Sequence, residues 1–168
     1  MPGESDRIWV IDTSSIIEVR RVVPGPEQPG CLRKLGALVE ADRLVFPREV
    51  LAELERGCEG KEPDARYLWA RQHQEQGCRL GTDYERLTKV LERVATVLDT
   101  EKTSGAEEAD PYVLAMALGI VEAGGAATVV TQEKNDKPKK MSLSTACGLW
   151  GIPSVPLLPW LGHLRVWP

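Results

Sequence analysis

The sequence predicts one α/β domain over residues 1–168, built on a central, mostly parallel sheet of about five strands. Two observations favour this class. Short apolar runs typical of buried strands alternate with segments in which apolar residues recur at helical spacing, and this alternation continues along the chain. Such an order is typical of βαβ units, in which a helix connects neighbouring parallel strands. The length is also usual for a single domain with a substantial core.

Each element can be placed on the chain. The predicted strands are 7–11, 44–46, 78–80, 127–131 and 154–157. Helices are predicted over about 15–21, 31–41, 48–57, 64–76, 83–98, 110–123 and 142–150. Pro47 precedes the helix 48–57 and Gly57 ends it. The helix 110–123 is apolar on almost every side, which predicts that it is buried against the sheet.

Composition and charge indicate an ordinary globular protein of the cytoplasm. Apolar residues make up 42% of the chain and charged residues 27%. No apolar run approaches the roughly 20 residues of a membrane-spanning helix, and no secretory signal is visible, so we expect a cytoplasmic protein without a membrane partner. The net charge of −4 argues against a generally basic nucleic-acid binder but allows a local basic rim. The four separated cysteines and two histidines do not form a zinc-binding pattern and indicate free thiols.

Four acidic residues lie close to the ends of predicted strands or at the start of a helix. Asp12 and Glu133 follow predicted strands, Glu53 lies in the helix after the strand 44–46, and Asp110 begins the helix 110–123. Ligands of open α/β sheets bind outside the carboxyl ends of the strands, so these acids are well placed for chemistry. Plainer interpretations remain open. Asp12 and Asp110 also suit helix N-caps, the latter followed by an N1 proline. Glu53 also suits an exposed helix face, and Glu133 a transition from strand to loop.

A cluster of such acids requires a cation, because two carboxylates about 4 Å apart repel by roughly 4 kcal/mol at an effective dielectric near 20. Glu107 and Glu108 can reach the same cleft as Asp110. Oxygen ligands without His or Cys suit Mg²⁺ or Mn²⁺. These ions polarise phosphoryl oxygens and activate water, so the chemistry indicated is phosphodiester hydrolysis.

Several other enzyme classes are disfavoured by the sequence. It contains no G-x-x-x-x-G-K-[ST], G-x-G-x-x-G or G-x-S-x-G motif, which argues against P-loop ATPases, dinucleotide-dependent dehydrogenases and α/β-hydrolases. Phosphatases with an aspartyl nucleophile carry a second aspartate two residues after the first. Here Thr13 and Ser14 follow Asp12, which argues against that class.

The sequence resembles a PIN domain over nearly its whole length. The matching pieces are WVIDTSSII, FPREVLAELERG, ADPYVLAMAL and TVVTQEK. The tail KPKKMSLSTACGLWGIPSVPLLPWLGHL resembles the C-terminal part of an uncharacterised PIN-like family of bacteria and archaea. The resemblance implies a three-layer α/β/α sandwich around a parallel sheet. It also implies a Mg²⁺- or Mn²⁺-dependent ribonuclease, often the toxin of a toxin–antitoxin pair with a small antitoxin protein as partner.

The resemblance also implies roles for single residues. Asp12 matches the first metal-binding acid, Glu53 the second, and Asp110 the acid at the start of the late helix. Thr131 and Glu133 match the last motif. Many PIN domains have an aspartate in place of Glu133, and the longer arm changes the distance to a metal. Asp136 is an alternative in this role, and Ser14 supports the site through hydrogen bonds.

The expected substrate is RNA, contacted through its backbone by a lysine-rich loop that contains Lys134, Lys137, Lys139 and Lys140. The plainer interpretation of these lysines is a solvated loop. The stretch 157–161 suits a homodimer or antitoxin surface, although such apolar stretches are more often core. Two alternatives to the ribonuclease remain: a non-catalytic PIN-like binding scaffold and a DNA-directed nuclease.

Overall fold

The computed structural model of the protein describes residues 4–94 and 108–168. Within these ranges, four strands form one parallel sheet in the order β2-β1-β3-β4. The strands are β1 (Arg7–Ile11), β2 (Leu44–Val45), β3 (Ala126–Val130) and β4 (Ser154–Val155). The predicted α/β class with a parallel sheet is therefore confirmed, but the described part of the chain contributes four strands, not five.

Every predicted helix is found in the described residues, and one helix near the C-terminus was not predicted. The helices are α1 (Thr13–Val22), α2 (Gln28–Glu40), α3 (Arg48–Arg56), α4 (Ala65–Gln72), α5 (Gln74–Gly77), α6 (Tyr84–Arg93), α7 (Asp110–Glu122), α8 (Leu143–Leu149) and the unpredicted α9 (Leu157–His163). The predicted helix 64–76 is divided at His73 into α4 and α5. The end of the predicted helix 83–98, from residue 95 onward, lies outside the described residues, as does Glu107.

The strand predicted at 78–80 was wrong, because these residues form a turn after α5. The backbone N–H of Phe46 donates to the carbonyl of Gly77 at 3.1 Å, so this segment begins beside β2. It does not continue as a ladder, and Gly81, which follows it, has a φ of +64°, outside the extended region of a strand. Leu80 is consequently 46% exposed, unlike a strand residue facing the core.

The two central strands form the core of the sheet. β1 and β3 pair in register from Arg7–Ala126 to Ile11–Val130, and their last residues are fully buried. Burial on both faces explains why these strands are continuous apolar runs without an alternating pattern. Helix α7 contacts both strands, and ten of its residues are buried, as its apolar sequence predicts.

The C-terminal strand is shorter than predicted, because β4 ends before Pro156 and helix α9 follows at once. Leu157, Trp160 and Leu161 on α9 are buried, so these three residues belong to the core. The Trp160 ring lies 5.7 Å from that of Trp9 on β1, between centroids. Among the described residues, no helix has the length and apolar character needed to cross a membrane.

The strand order gives the sheet a switch point between β1 and β3. We call the region outside the carboxyl ends of these two strands the cleft. The chain leaves β1 towards β2 on one side, whereas it leaves β3 towards β4 on the other. Parallel sheets bind ligands at such a switch point, outside the carboxyl ends of the strands. The N–H of Asp12 donates to the carbonyl of Val130 at 3.1 Å, and Thr131 follows directly. The residues after β1 and β3 therefore lie side by side.

Candidate active site

Asp12 is buried at this end of the sheet, between the end of β1 and the start of α1. Its carboxylate accepts hydrogen bonds from the hydroxyls of Ser14, at 2.8 and 2.9 Å, and Thr131, at 2.5 Å. It also accepts the backbone N–H of Ser15 at 3.0 Å and so caps α1. The N-cap interpretation of Asp12 is thus confirmed. The backbone N–H of Gln132 in turn donates to the Ser14 hydroxyl.

Burial dominates the electrostatics of Asp12. Removal from water raises the pKa of this carboxyl to about 6, although the hydrogen bonds from Thr131, Ser15 and Ser14 act in the opposite direction. The negative charge of Glu133 adds to the rise. A buried carboxylate with a raised pKa is one that a cation would stabilise in its charged form.

Asp110 enters the same cleft from the first residue of α7, where it is buried. Its carboxylate pairs with the ammonium of Lys140 at 2.9 Å. The same ammonium lies 3.2 Å from Glu133 and 3.9 Å from Glu108. Lys140, which the sequence analysis assigned to the RNA backbone, thus lies inside the acidic cluster.

The pKa of Asp110 is raised further than that of Asp12, to about 8. Burial is the main cause, and the charges of Glu133 and Asp12 contribute, while Lys140 opposes them. Burial alone would lower the pKa of Lys140, but Asp110, Glu133 and Glu108 raise it above its ordinary value. Contacts connect the three acids: the Thr131 hydroxyl donates to Asp12 and accepts the N–H of Glu133, and the Lys140 ammonium joins Glu133 to Asp110.

Glu53 lies beside this cluster, on α3. Its carboxylate accepts the backbone N–H of Ala109 at 2.6 Å, directly before Asp110. The prediction that Asp110 is the N-cap was wrong by one position, because Ala109 is the N-cap and Pro111 the second helical residue. Glu53, on α3, accepts the N–H of Ala109, the N-cap of α7. The Asp110 carboxylate therefore does not have to cap α7 and faces Lys140.

The lysine-rich loop forms the outer rim of the cleft. Lys134, Lys137 and Lys139 are exposed, and a cavity of about 230 Å³ is lined by residues 132–135, Lys137 and 140–142. Asp136 is exposed and accepts the backbone N–H of Ser142 at 2.9 Å. This bond anchors the loop to the start of α8, so Asp136 has a structural contact of its own.

The whole cleft belongs to a region that one sequence family covers. A family described as a domain of unknown function, DUF4411, matches residues 9–166. The chain belongs to the DUF4411 family. No curated protein matches the sequence.

The donor set of this DUF4411 chain is of the kind that binds hard cations. Asp12, Asp110 and Glu133 offer carboxylate oxygens, and burial makes their uncompensated charges unfavourable. Among residues 4–94 and 108–168, no group of three His, Cys, Asp or Glu is already arranged around a common metal position. The place next to both Asp110 and Glu133 is taken by the ammonium of Lys140.

Two further residues belong to the surroundings of the site. Glu108, which the sequence analysis placed in this cleft, is buried and faces Lys140. Cys147 on α8 is a buried free thiol, and burial together with the charges of Asp12 and Asp110 raises its pKa to about 12. Its position behind the acids could not be predicted, because α8 carries no charged residue that points to the cleft. Such a thiol stays protonated and acts as neutral packing.

Proposed function

We propose that the protein is a metal-dependent endoribonuclease that hydrolyses RNA phosphodiester bonds with Mg²⁺ or Mn²⁺. The observation that carries this proposal is that Asp12, Asp110 and Glu133, from three distant segments, are linked by the Thr131 hydroxyl and the Lys140 ammonium at the switch point of the sheet. Two of these carboxyls have strongly raised pKa values, which is common in functional sites. The three-layer sandwich of PIN domains is part of the same proposal.

In this proposal each acid has a separate task. Asp12 and Asp110 hold the ion, and Glu133 with Thr131 positions a second ion or its water shell. Glu53 holds the start of α7, and thereby Asp110, through its bond to Ala109. Its second carboxylate oxygen binds the ion or orients the attacking water in this proposal. A bound divalent ion would polarise the phosphoryl oxygen and favour deprotonation of a water.

The exposed lysines of the loop bind the RNA backbone in this proposal. Lys134 and Lys137 border the cavity that contains Glu133, so a phosphate there lies next to the acids. The chain is acidic overall, and a local group of lysines is therefore needed to attract a polyanion. Cleavage leaves a 3′-hydroxyl and a 5′-phosphate.

The experiment is an RNA cleavage assay with Mg²⁺ or Mn²⁺ that compares the wild type with Asp12→Asn. Asparagine is also a good N-cap, so α1 is preserved while the charge is lost. We expect activity to fall by more than about 100-fold, because even outer-shell partners of a metal site contribute about 10–100-fold. Equal activity of the two proteins would reject the proposal.

The matched control is Asp6→Asn. Asp6 precedes β1 just as Asp12 follows it, and it is exposed. The same chemical change at the opposite end of the strand is expected to leave cleavage unchanged. A DNA substrate of the same sequence, assayed in parallel, distinguishes a ribonuclease from a DNA-directed nuclease.

The biological role that the PIN resemblance supports is that of a toxin in a toxin–antitoxin pair, acting in the cytoplasm. A small DNA-binding protein encoded beside this gene would support that role. Co-expression of the two proteins then tests it directly. The antitoxin is expected to restore growth of cells that express the wild type, and to have no effect on cells that express Asp12→Asn, since these already grow normally.

One observation favours a second candidate, a non-catalytic binding scaffold. Lys140 already compensates Asp110 and Glu133, so the acids have an internal counter-ion. A protein that binds a divalent ion only when folded is stabilised by excess ion. An unchanged thermal midpoint in millimolar Mn²⁺, for the wild type and for Asp12→Asn alike, would favour the scaffold.

A further inference from the structure

Lys140 is the least expected charge in the cleft. Its side chain is only 11% exposed, although lysine is almost never buried unless it is paired. Three carboxylates compensate it, with Asp110 at 2.9 Å, Glu133 at 3.2 Å and Glu108 at 3.9 Å. This ammonium is therefore a fixed part of the acidic cluster.

The loop backbone directs this lysine inwards. Lys137 and Lys140 exchange two backbone hydrogen bonds, at 2.8 and 3.2 Å, which close a tight turn. The bond from Ser142 to Asp136 fixes the other side of the loop. Lys137 carries the same charge on the same turn and is exposed, so the turn geometry, not the lysine-rich composition, selects the residue that enters the cleft.

The negative charge of Asp12 is compensated differently from those of Asp110 and Glu133. Hydroxyl and N–H donors surround Asp12, and they leave its full negative charge in place. Asp110 and Glu133 are instead neutralised in part by Lys140. A divalent ion that binds both Asp12 and Asp110 must therefore approach the Lys140 ammonium, which is already paired with Asp110.

We propose that Lys140 is an internal competitor of the divalent ion: its ammonium holds Asp110 and Glu133 together in the metal-free protein, and the ion displaces it on binding. This inference rests on the proposed metal-dependent function. A divalent ion and an ammonium repel with twice the energy of two unit charges at the same distance, so they do not share the same carboxylate oxygens. Lys140 thus holds the acids together when no ion is bound and lowers their apparent affinity for the ion.

The test is a calorimetric titration of Mn²⁺ into the full-length protein at pH 8. Lys140→Met keeps the length of the side chain but removes its charge, and we expect Mn²⁺ to bind about tenfold more tightly, in the usual range of coupling between two sites. Lys140→Arg retains the charge and is expected to bind Mn²⁺ as weakly as the wild type. Lys137→Met is the matched control for net charge and is expected to change the affinity less than about twofold, because exposed charges are screened.

The outcomes separate this inference from the function on which it rests. Tighter binding by Lys140→Met alone supports competition. Equal or weaker binding by Lys140→Met overturns competition but leaves the metal site in place. Absence of Mn²⁺ binding by every variant overturns the metal-dependent function as well.

A second measurement needs only the wild type and so does not depend on the folding of Lys140→Met. Lysines are acetylated briefly in EDTA or in saturating Mn²⁺, and the labelled peptides are quantified by mass spectrometry. Competition predicts that Lys140 is protected in EDTA and becomes several times more reactive with Mn²⁺, whereas Lys134 reacts equally in both. Protection of Lys140 under both conditions, with Mn²⁺ bound, would overturn the proposal.

Discussion

The two buried aspartates of the cleft are held in opposite ways. Asp12 is surrounded by neutral donors from its own helix start and from the neighbouring strand, whereas Asp110 depends on one ammonium from a loop. A charged partner alone favours the ionised form more strongly than neutral donors do. The pKa of Asp110 is nevertheless raised to about 8, and that of Asp12 only to about 6. The neighbouring charges account for this order: Glu133 and Asp12 both raise the pKa of Asp110, and the ammonium that opposes them is shared among three acids.

The largest effect expected from this comparison is a pH dependence of stability in the metal-free protein. Both carboxyls have a higher pKa in the folded protein than in the unfolded chain, so the folded state binds protons more tightly. Their contribution to stability is complete below about pH 4 and is lost as the pH rises through about 6 for Asp12 and about 8 for Asp110. In EDTA, we expect the thermal midpoint to rise by about 5 °C or more between pH 9 and pH 5.

Variants of Asp12 and Asp110 separate the contributions of the two carboxyls to this pH dependence. Asp110→Asn is expected to reduce the change of the thermal midpoint with pH around pH 8. Asp12→Asn is expected to reduce that change around pH 6. Saturating Mn²⁺ is expected to reduce the slope, because it stabilises the ionised forms. A midpoint that falls on acidification from pH 9 to pH 5 would contradict the burial of these charges.

A smaller effect is expected from Glu53, which positions Asp110 through the N–H of Ala109. Glu53→Ala leaves this donor without its partner and should lower the free energy of unfolding by about 2 kcal/mol, as for a hydrogen bond to a charged group. Glu53→Gln keeps an acceptor oxygen and is expected to lose less than half of that. Denaturant unfolding measures both. Equal losses would show that the charge of Glu53, not its bond to Ala109, stabilises the protein.

The smallest effect on stability is expected from the loss of the hydrogen bond between Thr131 and Asp12. Thr131→Val preserves the shape of the side chain but removes the hydroxyl that bonds to Asp12, and should lower stability by about 1 kcal/mol. It should also raise the pKa of Asp12, because this bond is the strongest of those that lower it. Carboxyl-carbon NMR titration measures that shift, and Thr131→Ser is expected to restore the wild-type value.

Most of the fold could be predicted, because β1, β3 and α7 are encoded by local patterns. RIWVI and the run that contains β3 are apolar enough to be buried on both faces, and the apolar character of α7 requires a place against the sheet. The run 78–80 is too short to carry a periodic signal, and it was mistaken for a strand. Helix α9 was missed because it contains Pro159, which the first helical turn tolerates since its N–H needs no partner there.

The acids of the site could be proposed one at a time, but their arrangement depends on the strand order. Asp12 meets Thr131 because β1 and β3 are neighbours, which no local pattern encodes. Lys139 and Lys140 are adjacent and chemically identical in the sequence. The local turn between Lys137 and Lys140 leaves Lys139 exposed and directs Lys140 to the acids, but which acids it meets depends on how the loop packs against α7.

The N-cap made by Asp12 has an evolutionary consequence. The same residue also satisfies one free N–H group in the first turn of α1, that of Ser15. A relative that had lost the chemistry would still need an oxygen at this position to begin that helix. Replacement by Asn or Ser is therefore the expected mark of an inactive descendant, whereas Ala would weaken the fold itself by about 1 kcal/mol.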